Sequence, residues 1–204
     1  MIHKFTLENG TVFSLRPLLR EEIDEAQLLC DACVGKNLYS KQEIAAAIDA
    51  EDRFFYLLKN EKEETVGYIY YYLTDEAYIA KYAKLEVELF RSVYKQGEKR
   101  IGKIQSVGLK NEYRGNGLAA YMIQFILKDL RSISTEAVFI VCWKPGGFVP
   151  LKRTLINCDF KFLVEAKKVW YDDTKLICPY CHGRCVCDAE VYYKLLNEEK
   201  NNEA

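Results

Sequence analysis

Two stretches of this sequence set reactive or ligand-binding groups close together. The first, Cys178-Pro179-Tyr180-Cys181-His182-Gly183-Arg184-Cys185-Val186-Cys187, holds four thiols in ten residues as C-x2-C-x3-C-x-C. Four thiolates so close, with Pro179 and Gly183 to shape the turns, suit tetrahedral coordination of a zinc ion. Four cysteines also hold iron–sulfur clusters, three of them with His182 would make a Cys3His site, and in an oxidised protein they would form two disulfides. Cys178-x-x-Cys181-His182 spells the haem-attachment signature too, but covalent haem needs export and Met1 to Gly10 lacks the apolar core of a signal peptide. The expectation is a structural zinc closed on all sides by Cys178, Cys181, Cys185 and Cys187.

The second stretch runs Ile104-Gln105-Ser106-Val107-Gly108-Leu109-Lys110-Asn111-Glu112-Tyr113-Arg114-Gly115-Asn116-Gly117-Leu118-Ala119. It reads as a strand passing through a glycine-rich turn into a helix. Gly115 and Gly117 permit backbone conformations closed to other residues and let a ligand come close. The helix that follows begins with unpaired N–H groups and a partial positive charge, which together bind phosphate. Arg114 adds a full charge, and a pyrophosphate is the natural guest. Alone, Gly-x-Gly before a helix is also what a tight turn needs; a dinucleotide loop would want a third glycine, and a nucleoside triphosphatase loop Gly-Lys-Ser/Thr.

Arg114-Gly115-x-Gly117-x-Ala119, preceded by Asn111-Glu112-Tyr113, resembles the R/Q-x-x-G-x-G/A acyl-CoA motif of the GNAT acyltransferases, and the element order from about Thr11 to Trp170 is similar to theirs. The resemblance implies an α/β (α+β) fold: a mixed, mostly antiparallel sheet with splayed central strands and helices on both faces. It implies that the amides of Gly115, Asn116, Gly117, Leu118 and Ala119, with the charge of Arg114 beside them, hold the pyrophosphate of acetyl-CoA. Val107 and Leu109 would offer backbone groups to the pantetheine. The implied activity is N-acyl transfer to an amine, borne on a small molecule or a peptide.

That reaction needs a deprotonated amine, a polarised thioester carbonyl and a proton for the leaving thiolate. In many relatives the acid resembles a tyrosine four residues before a Gly-Phe pair; the pair here looks like Asp159-Phe160, which puts Leu155 at that position. Where several relatives carry an acidic base stands Gln105, which orients water but takes no proton. Glu86 and Glu88 are candidate bases against a reading as solvated surface charges. Cys142 has no histidine nearby in sequence, His3 and His182 being distant, and reads as a buried thiol. No catalytic residue is assigned, and a silent acyl-CoA-binding module whose cysteine loop docks a protein partner is the alternative.

The elements that must position these groups follow from periodicity. Thr11 to Leu18 alternates as a strand, and Glu21 to Cys33 repeats as a helix, on whose apolar face Cys30 and Cys33 read as core. Ser40 and Glu43 form a capping box for a helix over about Lys41 to Ala50. Phe54 to Lys59 and Val66 to Leu73 read as a hairpin, and the tyrosines from Tyr68 to Tyr72 as a strand with one face buried. Thr74 to Arg100 leans towards helix. Ile101 to Leu109 is a strand, Leu118 to Leu130 an amphipathic helix, and Ala137 to Trp143 a buried strand ended by Pro145-Gly146-Gly147. A short helix near Leu151 to Ile156 and strands at Lys161 to Trp170 and Val191 to Lys194 complete the chain.

With 204 residues, half of them apolar, and a formal net charge of −1, one core is expected and no general nucleic-acid binder. No apolar run is long enough to span a bilayer, so no membrane is expected as a partner. Eight cysteines without an export signal point to a reducing, cytoplasmic setting. The expected organisation is an acyltransferase-like domain over residues 1–175, the cysteine loop and final strand over 176–196, and a polar tail over 197–204.

Overall fold

The computed structural model describes residues 2–94 and 101–196; the tail expected at 197–204, and 95–100 of the segment read as helical, lie outside them. Its centre is one eight-stranded sheet in the order β1-β2-β3-β4-β5-β6-β8-β7. β1 (His3–Thr6), β2 (Val12–Pro17), β3 (Arg53–Asn60), β4 (Thr65–Thr74) and β5 (Ile101–Leu109) succeed one another as antiparallel neighbours. β5 pairs with β6 (Ala137–Lys144) in parallel, and β8 (Asp188–Leu195) lies antiparallel between β6 and β7 (Lys161–Ala166).

The helices divide between the two faces because strand residues alternate. Ile69 and Tyr71 of β4, Ile104 of β5, and Val138 and Ile140 of β6 face α5 (Leu118–Ser132) and α6 (Lys152–Asn157). α5 buries Leu118, Met122, Ile123, Ile126, Leu127 and Leu130 there, each worth about 1.5–3 kcal/mol of transfer free energy before the entropy of ordering is subtracted. Tyr68 and Tyr70 face the other way, under α1 (Ile23–Val34) and α2 (Lys41–Ala45), so the tyrosine strand is buried on both faces. Phe139 and Val141 of β6 also face that way, under α3 (Glu76–Ala83) and α4 (Val87–Arg91). The capping box closes as the sequence implies, with the Ser40 oxygen accepting from the Glu43 N–H and the Glu43 carboxylate accepting from the Ser40 N–H.

Three details differ from the sequence reading. β1 is an edge strand with one buried residue, Phe5, too little pattern to predict. β7 stops at Ala166; Val169 and Trp170 leave the sheet and pack with α3 and α4. β8 runs longer than the expected Val191 to Lys194 and takes an interior place in the sheet.

Candidate functional site

β5 and β6 pair only at Gly102 with Val138, Lys103 with Phe139 and Ile104 with Ile140, and then part. The divergence begins at an extra residue: Tyr70 lies opposite Ser106 and Tyr71 opposite Ile104, which leaves Gln105 bulged out of the ladder. Into the opening fits a cavity of about 610 Å³, which passes through the sheet from one face to the other.

On the α5 side the cavity meets the glycine-rich turn. Val107, Leu109, Arg114, Gly115, Gly117, Leu118 and Ala119 all line it, while Asn116 is exposed on the outer side of the turn. Gly115 and Gly117 have φ of 83° and 78°, values that a β-branched residue adopts only under strain. A Cβ built on either meets no protein atom within 4 Å, so the space beside them is open. Gly117 caps α5 without any side-chain bond to the helix amides, and no acidic residue stands in the first turn. The helix therefore presents free N–H groups and the positive end of its dipole to the cavity. Arg114 is anchored below by donating from Nε to the Leu109 carbonyl at 3.1 Å.

Where the sheet opens, a polar cluster joins the two faces. Lys103 is 1% exposed and has no carboxylate partner among the described residues. Its ammonium sits 3.6 Å from the centre of the Tyr82 ring and donates to Gln105 Oε1. Burial alone lowers its pKa to about 7. Tyr82 accepts a hydrogen bond from Trp170 Nε1 at 2.9 Å, and burial raises its phenol to about 12. The Tyr39 hydroxyl donates to Ser106 Oγ at 3.0 Å. Gln105, Ser106 and Tyr82 all line the cavity.

Leu155 is fully buried in the core. Cys142 lines the cavity but is only 5% exposed, and burial pushes its thiol up. Glu86 and Glu88 are exposed on α4 and its cap, outside the cavity lining. Cys30 is core, while Cys33 reaches the cavity and donates from Sγ to the Leu109 carbonyl at 3.5 Å. Sequence reasoning missed Tyr82, Lys103 and Trp170. Only Lys103 carried a signal, a charged residue at an inward position of an apolar strand.

The four cysteine sulfurs lie within 4.8 Å of one another. A tetrahedral zinc with bonds of about 2.3 Å sets its sulfurs roughly 3.8 Å apart, and Cys181 and Cys187 already stand at 3.5 Å. The loop reaches this shape through a tight turn: Cys178 N–H donates to Gly183 O at 2.8 Å, His182 N–H donates to Cys178 O at 2.9 Å, and His182 takes a φ of 56°. The Cys181 N–H points at Cys178 Sγ at 3.5 Å. His182 is exposed and outside the cluster. Cys178 and Cys185 also line the cavity, on the face away from α5.

This architecture is shared with known proteins. The structure of Arabidopsis thaliana NAA60 in complex with acetyl-CoA matches with a TM-score of 0.71 at 13% identity, over 91% of this chain and 99% of that one. The ribosomal-protein-S5-alanine acetyltransferase of Vibrio fischeri matches at 0.65 and 12% identity, over 96% and 98%. The loading GNATL domain of CurA from Lyngbya majuscula matches at 0.63 and 18% identity, over 90% and 98%. No curated protein sequence matches the chain. At such identities the structures speak for the fold, but the sequence profile of the acetyltransferase (GNAT) family matches residues 20–145, which contain the bulged strand, the glycine turn and all of α5. The chain belongs to the GNAT acetyltransferase family.

Proposed function

We propose that this protein transfers an acetyl or similar acyl group from acyl-CoA to an amine, with the thioester held where β5 and β6 part. The observation that carries this is the cavity itself, which joins a helix N-terminus free of capping side chains and acids to a polar opening through the sheet. The α5 amides and Arg114 would hold the pyrophosphate, and the unpaired edge of β5 near Val107 the pantetheine. An acetyl-CoA complex of the similar NAA60 structure is consistent with this use of the fold.

In the reaction the amine nitrogen attacks the thioester carbonyl, the C–S bond breaks, the amine gives up a proton and the thiolate takes one. With Leu155 buried, the hydroxyl best placed for that exchange is Tyr82, at the opening beside Gln105. A structural zinc would be held by Cys178, Cys181, Cys185 and Cys187; the four convergent sulfurs fit it, and it would supply cohesion to the loop and no reacting group.

Acetyl-CoA turnover against a panel of amines, peptides and aminoacyl compounds, followed by loss of the thioester, tests the reading. Product with at least one class of amine is expected. Tight acetyl-CoA binding with no product across the panel would replace it with the silent binding module.

A further inference from the structure

The two sides of the cavity differ in chemistry. On the α5 and α6 side its walls include the glycine turn and two guanidinium groups, Arg114 and Arg153. On the opposite face they are Leu38 from the connector after α1, Tyr82 of α3, Trp143 at the end of β6, and Trp170. Leu176, Cys178 and Cys185 of the cysteine loop complete that side. Among the described residues no aspartate or glutamate lines the cavity on either face.

The loop is tied to the connector it faces. Ile177 N–H donates to Lys36 O at 2.9 Å and Lys36 N–H to Ile177 O at 3.2 Å, and Asn37 Nδ2 donates to Lys175 O at 3.2 Å. Contact is close enough that a Cβ on Gly35 would stand 2.9 Å from Leu176 Cδ1. Trp143, Trp170 and Leu38 pack directly on the cluster of Leu176, Cys178, Cys185 and Cys187. Whatever holds the four sulfurs together thus holds this wall.

We propose that this second chamber takes the acceptor as an amine carried on an apolar or aromatic body, and that the metal-bound cysteine loop is its wall, so that metal loading governs acceptor binding and leaves acyl-CoA binding alone. This rests on the acyltransferase and metal readings above. A polyamine would bring several ammonium groups into a chamber that offers no carboxylate. A single amine enters after losing its proton, which its attack requires in any case, and its apolar body covers the rings of Trp143 and Trp170. Metal coordination adds folding energy to the segment that carries its ligands, whereas the glycine turn and α5 rest on the sheet and core of the other face.

Trp143 and Trp170 are the two tryptophans of the chain, so their fluorescence reads chamber occupancy without any transfer. The test titrates the zinc-loaded full chain, with CoA present, with 2-phenylethylamine and with spermidine, and follows acetylation of each. 2-Phenylethylamine is expected to change the fluorescence saturably and to be acetylated with a kcat/KM at least tenfold above that of spermidine. Stripping the metal, or Cys181→Ser, is expected to weaken 2-phenylethylamine binding tenfold or more while the calorimetric Kd for acetyl-CoA stays within twofold. Leu38→Glu leaves the cysteines intact, adds a carboxylate to the chamber and is expected to shift preference towards spermidine. Equal or better response to spermidine in the unaltered protein overturns the acceptor class. Unchanged 2-phenylethylamine binding without metal, or equal loss of acetyl-CoA binding, overturns the role of the loop. Saturable 2-phenylethylamine binding with no acetylation supports the chamber and counts against the acyltransferase reading instead.

Discussion

Trp170 donates its indole N–H across 2.9 Å to the hydroxyl of Tyr82, a residue that lines the cavity. Tyr82→Phe keeps the ring, the Lys103 contact and the chamber shape, and removes only the hydroxyl. Transfer is expected to fall about 100-fold if that group moves a proton, with acetyl-CoA affinity by calorimetry unchanged. The Trp170 N–H loses its partner, so stability should drop by about 1–3 kcal/mol. A variant that stays folded and keeps full turnover would remove Tyr82 from the mechanism.

Lys103 is the clearest pH-sensitive element of the fold. Its pKa is about 7 in the folded protein against an ordinary value of 10.5, so between those pH values the unfolded chain binds the proton and the folded one does not. Stability from this group therefore rises with pH from about 7 towards 10.5, and the cost of a buried ammonium is fully present below 7. Lys103→Met is expected to raise the melting temperature by roughly 3–6 °C near pH 6, a gain of about 1–2 kcal/mol once the lost ring and Gln105 contacts are set against it. The gain should shrink as pH climbs and vanish near 10. A gain that does not change with pH would mean that packing, not desolvation, dominates at this position.

What could be read from the sequence and what could not divide along physical lines. The glycine turn, the Ser40 capping box, the apolar stripe of α5 and the cysteine spacing are local patterns, each set by the backbone needs of a few neighbouring residues. The chamber on the far face is not local: Leu38, Tyr82, Trp143 and Trp170 come from four separate stretches of the chain and meet where β6 diverges from β5. Nothing in the run Val191 to Lys194 tells that its strand separates β6 from β7, since pairing order is decided by long-range register. Lys103 alternates correctly as a strand residue, and its isolation from any carboxylate depends on which aromatic side chains cover it.

Gly117 has a φ of 78° and open space where a side chain would stand. Gly117→Val is expected to weaken acetyl-CoA binding about 10-fold or more, because the new side chain occupies the ligand's approach and strains the turn. Arg114→Ala, which leaves the backbone alone, should cost about 3- to 10-fold and should do so more at low salt. Calorimetry on both variants separates obstruction from lost charge. Unchanged affinity in a folded Gly117→Val protein would move the phosphate site elsewhere.

Zinc at the four cysteines predicts a coupled loss of metal and of order in one segment. The ligands must be deprotonated and brought together, so binding energy becomes folding energy of residues 174–187, which carry the turn at Cys178 and Gly183 and the bridge to Lys36. Cys181→Ser is expected to lower zinc content from about one equivalent to well below half, and to speed proteolysis near Tyr180, which is exposed at the loop tip. The phosphate side rests on α5 and the core beneath it, so acetyl-CoA affinity should survive the change. Elemental analysis of protein purified with and without oxygen decides the metal: iron with sulfide would keep the four ligands and replace zinc. No metal, together with two disulfides by mass spectrometry, would remove the site and with it the metal dependence of the acceptor wall.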